Sequence, residues 1–410
     1  MRFSGSAADG TRFASAWADL AGVGKDHLRG GYSRHAFDDA EMQLRQWFVE
    51  QAERRSLDVE TDRNGNLWAW WGEPGTDAVV TGSHLDSVPG GGAFDGPLGV
   101  VSALLAIDEL RLRGVTPARP LAIACFTEEE GGRFGLPCMG SRLLTGAVDA
   151  DQVRRLHDPD GVSVADAARR VGIDPAAMGA DPARLASIGA FVELHVEQGR
   201  LLLAADPTAV VGVGSEIVAH GRWRITVSGQ GNHAGTTLPA DRKDPMIPAA
   251  AAVLAARRAT LEQDGAVATV GRITPVPGGT NVIASAVALW LDVRHRSATV
   301  TAGIVDSIAS AVREEAELEG CTVMVQRESM VDRVVFDPGL GLQLSELLTA
   351  PVIPTGAGHD AGVFSAHVPS AMLFVRNPSG VSHAPEEHAD AADCLVGVES
   401  LADALANLVR

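Results

Sequence analysis

Apolar residues recur at helical spacing near the start of the chain. Phe13, Trp17 and Leu20 form one set, and Met42, Leu44, Trp47 and Phe48 another. They predict two amphipathic helices within residues 11–55, and Asp38 or Asp39 is placed to cap the second. Leu57 to Asp62 then alternates as a strand. Asn64-Gly65 is a turn signal, and Leu67 to Trp71 continues as the hairpin partner. Ala78 to Val80 reads as the end of a buried strand. Pro97 to Leu112 reads as a helix with Val101, Leu104, Leu105 and Leu110 on its apolar face. Pro120 to Phe126 is an unbroken apolar run, as in a strand covered on both faces of a mainly parallel sheet. Residues 140–188 read as polar helical segments broken by Pro159, Pro175 and Pro182, and Ala190 to Leu194 as another strand. Strands alternating with helices indicate an α/β fold.

Near Gly212 the pattern changes. Trp223 to Val227, Val267 to Ile273 and Val287 to Val293 alternate apolar with polar, as half-exposed strands do, and Cys321 to Gln326 reads as a last strand. Helical stretches at Ala249–Arg258 and Ala302–Leu318 lie between them. Together they predict a small α+β sandwich inserted over 215–330. From about residue 331 the α/β character returns: a helix at Leu340–Leu348, a strand at Ala371–Val375, a loop at Asn377–Glu387 and a closing amphipathic helix. The expected main domain is thus 1–214 with 331–410, built on a mixed, mostly parallel sheet. A length of 410 residues suits two domains better than one core.

Composition narrows the partners. With 46% hydrophobic and 21% charged residues the chain is globular in type. A net charge of -18 argues against nucleic acid and against an anionic membrane surface. No window reaches the roughly 18 apolar residues of a membrane span. The N-terminal MRFSGSAADGTRF carries no apolar signal region. Cys125, Cys138, Cys321 and Cys394 show no metal-clip or framework spacing. Reduced thiols and a cytoplasmic location are the expectation.

The candidate chemistry lies at strand ends. Thr81 to Gly96 offers His84, Asp86 and Asp95 on a glycine-rich loop after a strand. Glu129 and Glu130 follow a second strand, His195 ends a third, and His383 lies just beyond a fourth. In open α/β sheets, ligands bind outside the carboxyl ends of the strands, so these segments can converge. A lone histidine or a glutamate triplet is ordinary surface. Five such side chains at strand ends, His84, Glu129, Glu130, His195 and His383, suit zinc, manganese, cobalt or nickel. His84 and Asp95 are expected to bind metal, with Asp86 holding the His84 ring from behind.

The ordered motifs GSHLDS (82–87), GGAFDGPLGV (91–100), TEEEGGRF (127–134), ELHVEQG (193–199), GQGNHAGTT (229–237), NVI (281–283), DVRH (292–295), GAGHDA (356–361) and SHAPEE (382–387) run from about residue 30 to the end with their surroundings. This pattern resembles the amidase/hydantoinase/carbamoylase branch of the dinuclear metallopeptidases. That resemblance implies two divalent metal ions per subunit, bridged by Asp95. His84 and His195 complete one site, Glu130 and His383 the other, and Glu129 is the general base. A histidine at 195, where the peptidase branches usually carry an acid, is part of what places the chain with the ureido hydrolases. Two divalent ions about 3.5–4 Å apart activate water and polarise a carbonyl.

The resemblance further implies that the insert is a lid and dimerisation domain. His233 would reach the partner subunit's site as an oxyanion donor. Asn281 and Arg294 on the lid would bind substrate, with Gln198 and Gly358 lining the pocket. Arg294 can fork onto a substrate carboxylate, or pair with Asp292 instead. The implied substrate is a small ureido carboxylate, such as allantoate or an N-carbamoyl-L-amino acid, cleaved by a homodimer. The alternative is an aminoacylase or dipeptidase on the same scaffold. Leu238-Pro239 after the Gly-Thr-Thr motif, and the polar stretch Arg376 to Gly380, depart from the usual pattern and bear on which substrate is taken.

Overall fold

The computed structural model describes residues 7–410. The first six residues of the stretch read above as lacking a signal region lie outside the described residues. The chain divides into two compact units, 1–216 with 335–410 and 217–334. The insert therefore opens two residues later, and closes four later, than the expected 215–330.

The first unit carries strands β1 (Asp58–Thr61), β2 (Leu67–Trp71), β3 (Ala78–His84), β4 (Leu121–Phe126), β5 (Ile188–Val196) and β6 (Val211–Ile217). After the insert come β13 (Val334–Val335), β14 (Val352–Thr355) and β15 (Ser370–Val375). Among the described residues these nine form one sheet of order β1-β2-β4-β3-β5-β15-β6-β13, with β14 beside β6. The central strands β4, β3, β5 and β15 are parallel, and antiparallel pairs flank them. β1 and β2 pair as the Asn64-Gly65 turn predicts, with Thr61 opposite Leu67.

Every residue of β3, β4 and β15 is buried, which is why Leu121–Phe126 reads as a continuous apolar run. The helix Pro97–Leu112 packs on β3 and β5, and the helix Ala391–Leu408 lies against it. The expected single apolar face of Pro97–Leu112 is too narrow. Burial extends almost all round, including Val100, Val101, Ala103, Ala106 and Ile107, because the sheet covers one side and neighbouring helices the other. Each fully buried leucine or isoleucine here contributes about 1.5–3 kcal/mol.

The segment 140–188 is less polar than it reads. Its short helices bury Met139, Leu143, Val153, Val164 and Ala168 in a cluster of their own with Phe37 and Phe134. Asp149, Ser163 and Asp181 cap them, each accepting a main-chain N–H. β13 and β14 escape the pattern because a two-residue strand and a proline-bearing one show no periodicity.

The second unit holds β7 (Ala219–Ser228), β8 (Asn232–His233), β9 (Val267–Val276), β10 (Val282–Ile283), β11 (Ala286–His295) and β12 (Thr322–Val331). Its antiparallel four-stranded sheet runs β12-β7-β11-β9, and β8 pairs separately with β10. The helices Met246–Glu262 and Ala298–Leu318 pack together over the sheet. Ile225, Val227, Val287, Leu289 and Val293 point into this core with Ile308 and Val312, as the alternation requires. Among the described residues of both units, no helix is long and apolar enough to cross a membrane.

Candidate metal centre

Parallel pairing of β4, β3, β5 and β15 puts their carboxyl ends on one edge. His84 lies opposite Phe126, the last residue before Thr127-Glu128-Glu129-Glu130, and Phe374 lies opposite His195. The loop after β15 carries His383. Asp95 sits just ahead of the helix Pro97–Leu112, whose first turn begins on proline after Gly96. Gly96 has φ +83, and a Cβ there would lie 2.4 Å from the His84 ring. Only glycine lets Asp95 approach that imidazole.

Asp95 is the centre of the cluster. Its Oδ1 lies 3.5 Å from His84 Nε2 and 3.2 Å from His195 Nε2. Its Oδ2 lies 3.4 Å from His383 Nε2, which is itself 3.2 Å from Glu130 Oε2. One carboxylate thus faces two donor sets, His84–Asp95–His195 and Asp95–Glu130–His383, and the donor atoms of each lie within 4.8 Å of one another.

The histidine tautomers suit ligation. His84 Nδ1 faces the Asp86 carbonyl at 3.0 Å, and His195 Nδ1 faces the Val196 carbonyl at 2.8 Å. A proton on each Nδ1 leaves each Nε2 lone pair aimed at the carboxylates. His84 Nε2 and Glu130 Oε1 are buried without a hydrogen-bond partner. Such orphaned atoms in a nest of imidazole and carboxylate fit divalent cations.

The imidazoles and carboxylates shift one another strongly. The Asp95 and Glu130 carboxylates raise His383 to about 11. Burial alone would depress His84, but Glu129, Asp95 and Asp86 outweigh it and hold the ring well above its ordinary value. Burial would raise Asp95, yet the His195, His383 and His84 imidazoles hold it well below. Glu129 is pushed well above the usual carboxylate range by burial and by Asp360, Glu130 and Glu193, against the pull of His84. Its Oε2 lies 3.6 Å from His84 Nε2, while Oε1 is 3.4 Å from the Cys138 thiol.

Asp86 differs from expectation. Its carboxylate stands 3.6 Å from His84 Nδ1, beyond hydrogen-bond reach, and its main-chain carbonyl takes that role. The carboxylate oxygens instead accept the N–H groups of Glu129 and Glu130, at 3.1 Å each. Burial pushes this carboxyl up to about 6.

Gln198 Nε2 donates to Asp95 Oδ2 at 2.8 Å and lies 3.2 Å from His383 Nε2, so it borders the cluster. Gly358 precedes His359, which is buried with its ring 4.6 Å from that of His195. Asp360 is buried and bonded by the Ser141 hydroxyl.

His233, Asn281 and Arg294 belong to the second unit. There His233 pairs with Val282, and the Asn281 carbonyl accepts the Ala234 N–H at 3.0 Å, so His233 and Asn281 are neighbours. Arg294 places Nε 2.7 Å from Asp292 Oδ1 and a second nitrogen 3.3 Å from Oδ2, so the ion pair weighed from sequence is formed.

Several residues escaped the sequence reading. Glu193 is fully buried and accepts from Ser83 Oγ at 2.8 Å and from the Ala361 N–H at 3.0 Å. With His195 and His359 it forms a further donor group. The available signal was its place two residues before His195, on the same strand face. Cys138 gave no signal, since its role depends on a left-handed turn, φ +53, that returns it to Glu129.

Imidazoles and carboxylates gathered at the carboxyl edge of a parallel sheet form a site that suits a pair of divalent ions. The family model of peptidase family M20/M25/M40 matches residues 80–407. The N-carbamoyl-L-amino acid amidohydrolase of Geobacillus stearothermophilus is 33% identical over 404 residues, covering 96% of this chain and 97% of that one. The allantoate amidohydrolase of Escherichia coli K12 is 31% identical, covering 93% and 94%. The structure of an amidase of the hydantoinase/carbamoylase family from Burkholderia multivorans superposes with a TM-score of 0.84 at 29% identity, over 98% of both chains. The chain belongs to peptidase family M20/M25/M40, and within it to the amidase/hydantoinase/carbamoylase branch.

Proposed function

We propose that this protein is a metal-dependent amidohydrolase that cleaves the linear ureido C–N bond of a small carboxylate, releasing ammonia and carbon dioxide. The observation that carries the reading is the division of Asp95 between two donor sets. Two divalent ions held by His84, Asp95, His195, Glu130 and His383 would activate water and polarise the ureido carbonyl.

The chain's residues supply the rest. Glu129, with Oε1 held at the Cys138 thiol, presents Oε2 as general base and takes the proton of the attacking water. As the C–N bond breaks, Glu129 returns that proton to the departing nitrogen, which leaves as ammonia. The remaining carbamate loses carbon dioxide to give the amine. His233 Nδ1 accepts from the Gly235 N–H at 3.1 Å, so the ring proton sits on Nε2, the form needed to donate to an oxyanion. Arg294 and Asn281 bind the substrate carboxylate, and Gln198 and Gly358 line the pocket.

We assign the second unit as lid and dimerisation module. The helix Met246–Glu262 buries alanines on one side and exposes Ile247, Val253, Leu254 and Leu261 on the other. It packs beside β9, an edge strand of the sheet that exposes Val267, Ile273 and Val276. An apolar helix stripe next to an open sheet edge suits pairing with a second copy. Four free cysteines support a reducing, cytoplasmic setting.

The test is ammonia release by the metal-reconstituted protein from allantoate, N-carbamoyl-L-amino acids and ureidopropionate, beside hydrolysis of an N-acetyl amino acid. Chelator-treated protein is the control. Turnover of the acetyl compound alone would replace the ureide reading with the aminoacylase one.

A further inference from the structure

Glu387, the last residue of the SHAPEE motif, has no part in the chemistry described so far. It is nevertheless 4% exposed. Burying a carboxylate is costly unless its oxygens are satisfied, and here they are, by the loop that carries Asp95. Glu387 Oε1 accepts the N–H groups of Phe94 and Asp95, each at 2.9 Å. Oε2 lies 3.2 Å from Ser382 Oγ, and that same hydroxyl lies 3.2 Å from Asp95 Oδ2. One glutamate therefore holds the peptide of Asp95 directly, and the Ser382 hydroxyl, with one proton to give, lies between the two carboxylates.

The approach is close enough to dictate sequence. A Cβ on Gly92 would lie 2.3 Å from Glu387 Oε1, so only glycine lets the loop seat on this carboxylate. Phe94 is fixed as well, stacked on Trp17 at 4.8 Å between centroids and edge-on to His388 at 6.0 Å.

The position of Glu387 in its own loop gives these contacts their meaning. The turn from Ser382 to Glu387 is closed by the Glu387 N–H on the Ala384 carbonyl at 3.1 Å. It begins beside His383, whose φ is +56. One end of the turn thus presents His383 towards Asp95 Oδ2, and the other grips the backbone of Asp95. These are the two residues that must stand on either side of one metal ion, and they come from loops 288 residues apart.

We propose that Glu387 is a positioning residue that sets the spacing between Asp95 and His383, and with it the affinity of the dinuclear centre for its second ion. The proposal rests on the metal reading above. Charge-assisted bonds from N–H groups to a buried carboxylate fix both distance and direction. Partners behind metal ligands commonly alter affinity by about 10–100-fold when removed. A simple staple between two loops would instead affect folding alone.

The experiment uses the full chain, stripped with chelator and titrated calorimetrically with zinc. The wild type should take up two ions, and failure to do so would sink the dinuclear reading itself rather than this proposal. With two ions bound by the wild type, Glu387→Gln should weaken one of them by about 10–100-fold. At saturating zinc its kcat should fall while KM moves less than about twofold. Ser382→Ala, which removes only the indirect link, should weaken the same ion by a smaller factor. A Glu387→Gln protein that melts earlier yet binds both ions as the wild type does would overturn the proposal. If Glu387→Gln does not fold, Ser382→Ala decides alone, and unchanged zinc affinity there would overturn it equally.

Discussion

Asp86 Oδ1 accepts the main-chain N–H of Glu129 at 3.1 Å. Its other oxygen holds the N–H of Glu130 at the same distance, and its carbonyl faces the ring of His84. One residue therefore orients a ligand of the first donor set, a ligand of the second, and the base between them. Asp86→Asn turns one acceptor into a donor facing an N–H. The expected result is a 10–100-fold loss in metal affinity, read by titration of chelator-stripped protein. Wild-type affinity would remove Asp86 from the assembly of the centre.

Glu129 is placed for proton transfer rather than ligation. Glu129→Gln keeps shape and removes the base, so kcat should fall by about 10²–10⁴-fold while two ions still bind. Metal content and steady-state rates on the same preparation check this. Full hydrolysis by Glu129→Gln would end the assignment.

Arg294 is paired with Asp292, so carboxylate recognition would compete with that pair. Arg294→Ala should raise KM for a ureido carboxylate by roughly 10–100-fold, in line with about 1.5–3 kcal/mol for bonds to a charged group. Unchanged KM and kcat would show that the arginine serves the lid fold alone.

The exposed stripe on Met246–Glu262 predicts its own test. Leu254 is 59% exposed, so Leu254→Glu should leave the fold intact while halving the mass seen in sedimentation. Because His233 is proposed to act in the partner's site, activity should fall with the dimer. A fully active monomer would refute that sharing.

Acid should weaken the inserted unit. Burial holds His220 below its ordinary 6.5, helped by Arg294 and opposed by the Val218 carbonyl. The unfolded chain takes up this proton more readily, so stability is lost as pH falls below 6.5. Asp292 extends the loss to more acid pH, below the window of His220. Burial would raise it, but Arg294 and Arg222 hold it below 3.8. Its contribution is complete above 3.8 and is lost as pH falls through the lower folded value. Urea unfolding between pH 7.5 and 5 should show the wild type losing more stability, or gaining less, than His220→Asn as the pH falls. An identical slope in that variant would exclude His220 as the source.

Much of this was legible in the sequence. β3, β4, β5 and β15 announce themselves because strands covered on both faces carry near-continuous apolar runs, and the donors could be found because they stand where those runs stop. The reversal of roles in Asp86 was not legible, since a carboxylate and a carbonyl on one residue compete for partners that only the folded loop supplies. Glu193 and Glu387 were hidden for a related reason. Their main partners are main-chain N–H groups and, for Glu193, the Ser83 hydroxyl, more than a hundred residues away, and such groups leave no pattern in side-chain chemistry. The small core under 140–188 was hidden because its helices are too short to show a full apolar face.

The insert leaves and rejoins the sheet through β6 and β13, neighbouring strands, and the Phe336 N–H donates to the Ser215 carbonyl at 3.1 Å. The two crossing points are thus one hydrogen bond apart. A loop of a few residues from Glu216 to Val335 would close the metal-binding unit without stretching any strand. The insertion is modular in this sense. Its 118 residues, 217–334, can diverge in length, pairing surface and substrate contacts while the hydrolytic machinery keeps its own continuous architecture.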